Sequence, residues 1–243
     1  MLNNIKIRDL KSPNFGRKKR SIKSVKAIVL HYTGMQSERE SIKRLCNPKF
    51  EVSCHYLINQ NGNIYRLVQD NKIAWHAGKS CWAIFKNLNN NSIGIELVNK
   101  GHRFGYTNFK KKQLSSLINI CKILIKKYKI KKQNILGHSD IAPLRKKDPG
   151  EKFPWKFLSN KKIGVWHKLN FLECNKLRGK KINIENKFFF KKLKKFGYFI
   201  NISKKNELKK IVNSFQRRFR PELIDGKIDK ECFEIIKTII LTK

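Results

Sequence analysis

Acidic residues are scarce. Asp and Glu together number 17 against 56 Lys and Arg, a formal net charge of +39 over 243 residues. Such a balance ordinarily points to a polyanionic partner held through phosphate contacts. Yet no zinc-finger, RNP or helix-turn-helix pattern accompanies it, and lysine is spread with Asn and Ile over nearly every segment. We read the charge as a bias of the whole chain, with no specific nucleic acid as partner. The basic field still favours carboxylate-rich substrates.

Paired cysteines are also missing. Cys46, Cys54, Cys81, Cys121, Cys174 and Cys232 are widely spaced and form no CxxC, which excludes a disulfide framework and a Cys-type zinc cluster. Cys54 and Cys121 fall in runs that read as strand and helix core, where free Cys acts as a small apolar residue. No apolar stretch is long enough to span a membrane. The basic N-terminus MLNNIKIRDLKSPNFGRKKRSIKS lacks the apolar region of a secretory signal, so the expected compartment is the cytoplasm, with the cell envelope as the alternative. A content of 40% hydrophobic and 11% aromatic residues excludes disorder throughout and supports one sizeable core with a small second one.

What is present begins with VKAIVLHYT, a continuous apolar strand of the kind buried inside a sheet, delivering His31 at its end. SERESIKRLCNP reads as a short helix, with Ser37 and Glu40 at capping-box spacing and Pro48 as its stop. VSCHYLINQNGNIYRLV alternates on both sides of Asn61-Gly62, a strong hairpin signal, and carries His55 on one face. IAWHAGKSCW is a Gly-containing loop with Trp75 and His76. In SIGIELVN the alternation puts Ile93, Ile95 and Leu97 on one face and Glu96 on the other, beside Gly94 and Val98. A carboxylate on an apolar strand is costly to bury without a partner or a purpose, so Glu96 is a candidate for catalysis, with a structural ion pair as the alternative. Thr107 is placed to cap the long helix FKKKQLSSLINICKILIKKYK, whose stripe from Leu114 through Leu117, Ile118, Cys121, Leu124 and Ile125 to Tyr128 is core. NILGHSD makes a third buried strand, ending at His138.

The segment GHSDIAPLRKKDPG, Gly137 to Gly150, packs His138, Lys146 and Asp148 into one short irregular stretch. A catalytic zinc ion takes three protein ligands and leaves a fourth position for water. His138 and Asp148 can be two of the three, and the best offer for the third is His31, at the end of a separate strand. Ligands at adjacent strand ends are natural partners for one ion.

Together, VLHYT, SCHYLINQNG, WHAGKSCW, GIELVN and GHSDIAPLRKKDPG resemble the zinc-dependent N-acetylmuramoyl-L-alanine amidases of the type 2 family. The resemblance covers residues of about 25 to 168, includes the nine residues between His138 and Asp148, and extends to SPNFGRKKR and FPWKFL. It implies an α/β fold with a mixed central sheet flanked by helices, and cleavage of the amide between N-acetylmuramic acid, or its 1,6-anhydro form, and L-alanine of peptidoglycan stems. It also implies Zn2+ held by His31, His138 and Asp148, with Glu96 and Lys146 as the catalytic pair. His55, His76, Trp75 and Tyr32 are candidates for the substrate groove, ordinary packing being as good an account of the two histidines. His102 and His167 read as surface residues. A catalytically inactive muropeptide-recognition protein is the alternative, although such a protein is expected to lack a ligand or Glu96.

After about residue 176 the pattern changes. Phe188, Phe189, Leu193 and Phe196 precede Gly197 as a helix and its cap; Leu208, Ile211, Val212, Phe215 and Phe219 form a second, ended by Pro221; Asp229 caps a third with Ile235, Ile236, Ile239 and Ile240 inward. The run FQRRFRPELIDGKID resembles a small three-helix peptidoglycan-binding module, with a plain helical extension bracing the catalytic domain as the alternative. The expected organisation is a basic segment over 1–22, the catalytic domain over 23–170, a linker over 171–185 and the three-helix domain over 186–243, in a monomer acting on peptidoglycan or soluble muropeptides.

Overall fold

In chain order the strands are β1 (Ile7–Asp9), β2 (Phe15–Gly16), β3 (Ala27–Tyr32), β4 (Tyr56–Ile58), β5 (Ile64–Arg66), β6 (Ile73–Ala74), β7 (Cys81–Trp82), β8 (Phe85–Lys86), β9 (Ser92–Leu97) and β10 (Ile135–Gly137). The helices are α1 (Glu38–Cys46), α2 (Lys111–Tyr128), α3 (His138–Ile141), α4 (Trp155–Asn160), α5 (Phe171–Leu177), α6 (Asn186–Phe196), α7 (Lys205–Phe219) and α8 (Lys230–Leu241). The structure, a computed structural model, describes residues 5–182, 185–201 and 205–241. Residues 1–4, 183–184, 202–204 and 242–243 belong to the expected N-terminal segment, linker and C-terminal module and lie outside the described residues.

Six strands form one sheet in the order β1-β5-β4-β9-β3-β10. It is mixed as expected: β3 runs parallel to β9 and β10, β4 parallel to β9, β1 parallel to β5, and the β4–β5 hairpin is antiparallel. β3 and β9 lie inside the sheet with both faces covered, which is why their sequences read as near-continuous apolar runs. The hairpin forms where Asn61-Gly62 indicated, but through a longer loop. Asn59 Oδ1 accepts the N–H groups of Asn61 and Asn63, and Gly62 supplies a positive φ of 85°.

α1 starts as expected, with the Ser37 hydroxyl accepting the Glu40 N–H. Thr107 does not cap α2. The helix begins at Lys111 with no side-chain cap, and the Thr107 carbonyl is taken instead by Asn99 Nδ2 at 2.9 Å. The inward face of α2 holds Leu117, Ile120, Cys121, Leu124 and Tyr128, with Gln113 donating to the Ile58 and Val98 carbonyls. Such pairing removes most of the cost of burying an amide.

The basic N-terminal segment is woven into this body. β1 pairs with β5, β2 pairs with β6, and the buried Arg20 guanidinium donates to the carbonyls of Asp70, Asn89, Asn90 and Ser92. The stretch expected as a linker contains α5, capped by Asn170 with Glu173 in reciprocal bonds, and Arg178 beyond it pairs with buried Glu231 at 2.7 Å. α6, α7 and α8 follow as expected, with Gly197 ending α6 and Asp229 Oδ1 accepting the Cys232 N–H. The inward face of α6 is Phe189, Phe190, Leu193 and Phe196, while Phe188 is 44% exposed. One continuous core joins Val29 and Leu136 of the sheet and Trp82 to Phe189, Phe196, Phe215, Phe219 and Ile236 of these helices.

Candidate metal centre

β3 and β10 are neighbours in the sheet, and the chain leaves both at the same end, where His31 sits near the close of β3 and His138 opens α3. The irregular stretch after α3 then returns Asp148 to the same point. His31 Nδ1 lies 3.0 Å from His138 Nδ1 and 3.0 Å from Asp148 Oδ2, and His138 Nδ1 lies 3.1 Å from the same oxygen. All three side chains are buried.

Their outward contacts fix where the protons are. His138 Nε2 faces the Ala77 carbonyl at 3.1 Å, so it carries the hydrogen and leaves Nδ1 as a lone pair. His31 Nε2 faces His76 Nδ1 at 3.1 Å, and His76 Nε2 faces the Ser92 hydroxyl at 3.3 Å. That hydroxyl donates to the Leu88 carbonyl at 2.5 Å, so it accepts from His76 Nε2–H. His76 Nδ1 is therefore an acceptor, His31 Nε2 the donor to it, and His31 Nδ1 a second lone pair. Two imidazole lone pairs and a carboxylate oxygen thus converge with no hydrogen between them. A cation satisfies that arrangement, and the atoms are of the types zinc takes, at a separation close to the edge of about 3.3 Å that bonds of about 2.0–2.1 Å give a tetrahedral ion.

Electrostatics follow the same geometry. Burial, then the neighbouring His138, pushes the His31 imidazole down to about 4. Burial also drives His76 well below the ordinary histidine range, with His31 and His55 adding to it. Burial works to raise the Asp148 carboxyl, but His138 and His31 outweigh it and hold the group far below the usual carboxylate range. The shifts keep His31 and Asp148 in the forms that bind a metal, and His76 in the neutral form that accepts from His31.

Glu96 and Lys146 border the same place. A cleft of about 390 Å³ is lined by Tyr32, His76, Glu96, His138, Lys146 and Asp148, with Arg44, Arg145 and Lys147 adding positive charge. Glu96 Oε2 is buried and has no hydrogen-bond partner among the described residues. Burial, then the negative Asp148, raises its carboxyl to about 8 against the lowering pull of Lys146. An orphaned carboxylate of that kind marks functional sites more often than structural ones.

Of the four groove candidates, Tyr32 and His76 line the cleft. His55 does not: it is fully buried, its Nδ1 accepting the Gly94 N–H and its Nε2 facing the Lys72 carbonyl with Arg20 2.9 Å away. Trp75 also stands outside the lining, tied through its N–H to the Ser53 hydroxyl. His102 is exposed as expected, yet it joins Tyr32 to Glu151. His167 is half-buried against Trp166, and burial lowers it to about 4, so it is not a surface histidine.

Sequence reasoning missed Ser92 and Arg145. Arg145 donates to the carbonyls of Ala77 and Lys79, fastening the loop whose Ala77 carbonyl holds His138. A signal existed in Gly94. A Cβ there would lie 2.4 Å from the His76 ring, so a glycine inside a buried strand marked the close approach of another group.

A mixed sheet carrying a buried His, His, Asp triangle that can hold a metal ion, beside a carboxyl with an unpaired buried oxygen, is the arrangement of a hydrolase site. Residues 21–151 match the family described as N-acetylmuramoyl-L-alanine amidase, and the chain belongs to that family. It is 33% identical over 232 residues to the N-acetylmuramoyl-L-alanine amidase AmiD of Escherichia coli, spanning 89% of this chain and 82% of the relative. A structure of AmiD with anhydro-N-acetylmuramic acid-L-Ala-D-gamma-Glu-L-Lys superposes with a TM-score of 0.81 at 31% identity, covering 93% of this chain and 92% of that one. AmpDh3 of Pseudomonas aeruginosa gives a TM-score of 0.80 at 30% identity, over 96% and 98% of the two chains. The 1,6-anhydro-N-acetylmuramyl-L-alanine amidase AmpD of Haemophilus influenzae is 33% identical over 174 residues, spanning 64% of this chain and 92% of its own.

Proposed function

We propose that the chain is a zinc-dependent amidase that hydrolyses the bond between the lactyl carbonyl of N-acetylmuramic acid, or its 1,6-anhydro form, and the amine of L-alanine. The observation that carries this reading is the convergence of two imidazole lone pairs and a carboxylate oxygen within 3.1 Å of one another. His31, His138 and Asp148 would hold Zn2+, which when bound acidifies water toward neutrality and polarises the scissile carbonyl.

The remaining chemistry falls to side chains. Glu96 takes a proton from the attacking water, and its raised basicity suits the task. The water oxygen forms the new C–O bond as Glu96 takes the proton; Glu96 then passes that proton to the nitrogen, the C–N bond breaks, and the second water proton leaves the new carboxyl for the released amine, giving a lactyl carboxylate and the ammonium of L-alanine. Lys146, in the same cleft wall, stabilises the negative charge that develops on the carbonyl oxygen. Arg44, Arg145 and Lys147 give the cleft a positive field matched to the carboxylates of a stem peptide.

We further propose soluble 1,6-anhydro-muropeptides as substrate, in cell-wall recycling. The relatives that span both parts of the chain support it, because AmiD and AmpDh3 are each solved with an anhydromuramic peptide. Among the described residues no helix is long and apolar enough to cross a membrane. Mass spectrometry of digests of soluble anhydro-muropeptide beside intact sacculi tests the assignment. Release of intact stem peptide from the soluble substrate is expected; cleavage of sacculi alone would transfer the role to the polymeric wall, and cleavage within the peptide or the glycan would refute it.

A further inference from the structure

Three residues of α7 reach the metal centre from behind. Arg218, 2% exposed, pairs with the equally buried Asp140 at 2.5 Å and donates to the Ile135 carbonyl at 3.0 Å. Asp140 in turn accepts the Gly137 N–H at 2.7 Å and the Tyr198 hydroxyl at 2.6 Å. Arg218 is thereby joined to both sides of His138. Ser214 donates to the Ser139 carbonyl at 2.7 Å, and the Ser139 N–H donates to the Asp148 carbonyl at 2.8 Å. One residue, Ser139, therefore connects α7 to the backbones of two proposed ligands.

The third residue, Arg217, lies 3.5 Å from Glu151, whose carboxylate meets His102 at 3.1 Å. His102 meets the Tyr32 hydroxyl at 2.8 Å, on the wall of the cleft. Neighbouring residues of one helix thus hold the floor of the centre and one side of the groove.

We propose that α7 is a positioning element of the active site, with Arg218 and Asp140 as positioning residues for His138 and Asp148. The inference rests on the zinc reading of the centre. Its physical basis is the cost of loosening a ligand. A metal site tolerates displacements of only about half an ångström, and groups that orient ligands from outside are worth about 10- to 100-fold in metal affinity. A detachable binding module would not spend a buried ion pair on its neighbour's ligand loop, because that pair is unfavourable to break once formed. The stacking of Arg218 on Trp155, 4.2 Å from the ring centre, fixes the guanidinium in one orientation.

The test uses the full chain. Arg218→Met and Asp140→Asn are made singly and together, and zinc affinity is measured by competition with a chelator, with kcat and KM measured separately. Both single variants should stay folded by circular dichroism, bind zinc 10- to 100-fold more weakly, and lose kcat with KM nearly unchanged. The double variant should be no worse than the poorer single one, as expected for two halves of one device. If Arg218→Met does not fold, Arg218→Lys carries the test: it keeps the charge without the planar fork and should weaken zinc binding several-fold. Folded variants with zinc affinity and kcat within about twofold of the wild type overturn the proposal. A wild type that binds no zinc overturns the functional reading and this one together, whereas a zinc-binding wild type with indifferent variants overturns this one alone.

Discussion

His31 and Glu96 are direct partners across the parallel ladder of β3 and β9. Partnered residues in a ladder project from the same face of the sheet. The register therefore places the imidazole proposed for the metal and the carboxyl proposed for the proton on one face of the sheet, and no loop is needed to bring them together. A one-residue slip between these strands would send Glu96 into the apolar layer of Ile93, Ile95 and Leu97.

Replacing Glu96 by Gln should leave folding and zinc content intact, since the buried Oε2 has no hydrogen-bond partner to lose among the described residues. Turnover should fall by about two to four orders of magnitude. Steady-state kinetics with metal analysis of the same sample decides it. Near-normal turnover with zinc in place makes Glu96 a structural carboxylate.

Lys146→Met keeps much of the stem and removes the ammonium. The expected loss is on the order of a hundredfold in kcat with KM little changed, because charge on the carbonyl oxygen appears only in the transition state. A change confined to KM would make Lys146 a ground-state binding group.

The tautomer chain from His31 through His76 to Ser92 predicts that His76→Phe weakens zinc binding about 10- to 100-fold. Gly94→Ala should do likewise without removing a polar side chain, since its Cβ would fall 2.6 Å from His76 Nδ1 and displace the ring. Chelator competition measures both, and unaltered affinity in each would remove His76 from the centre.

How far the sequence carried this picture depends on the range of the signal. β3, β9 and β10 were legible because each is a buried run whose alternation or apolarity is local, and Asp229 and Gly197 were legible as caps for the same reason. Thr107 misled because it is a good cap residue near a helix start, yet its carbonyl was already committed to Asn99 and α2 begins later. His55 looked like a groove residue because the hairpin's alternation gives a face but not its neighbours; Gly94 and Arg20 enclose it. The attachment of α7 was invisible for a different reason. Arg218 and Asp140 are 78 residues apart, and only the presence of an arginine on the apolar stripe of Phe215 and Phe219 hinted that it was bound for a buried carboxylate.

Acid should destabilise the chain from about pH 6.5 downward. Burial, then the charge of Arg20, depresses the His55 imidazole to about 3, whereas in the unfolded chain a histidine titrates near 6.5. Between those values the unfolded state binds a proton that the folded state refuses, so stability falls as pH drops through that window. Thermal unfolding from pH 7 to 4, with chelator present throughout, should show a falling Tm, and His55→Asn should show a shallower slope. Equal slopes would mean that His55 is not held neutral.

The central claim is that His31, His138 and Asp148 form one zinc site, and elemental analysis of purified protein tests it most directly. One zinc per wild-type chain is expected, and a content near zero in a folded variant carrying His138→Ala and Asp148→Ala together. Zinc retained at one per chain in that double variant would contradict it.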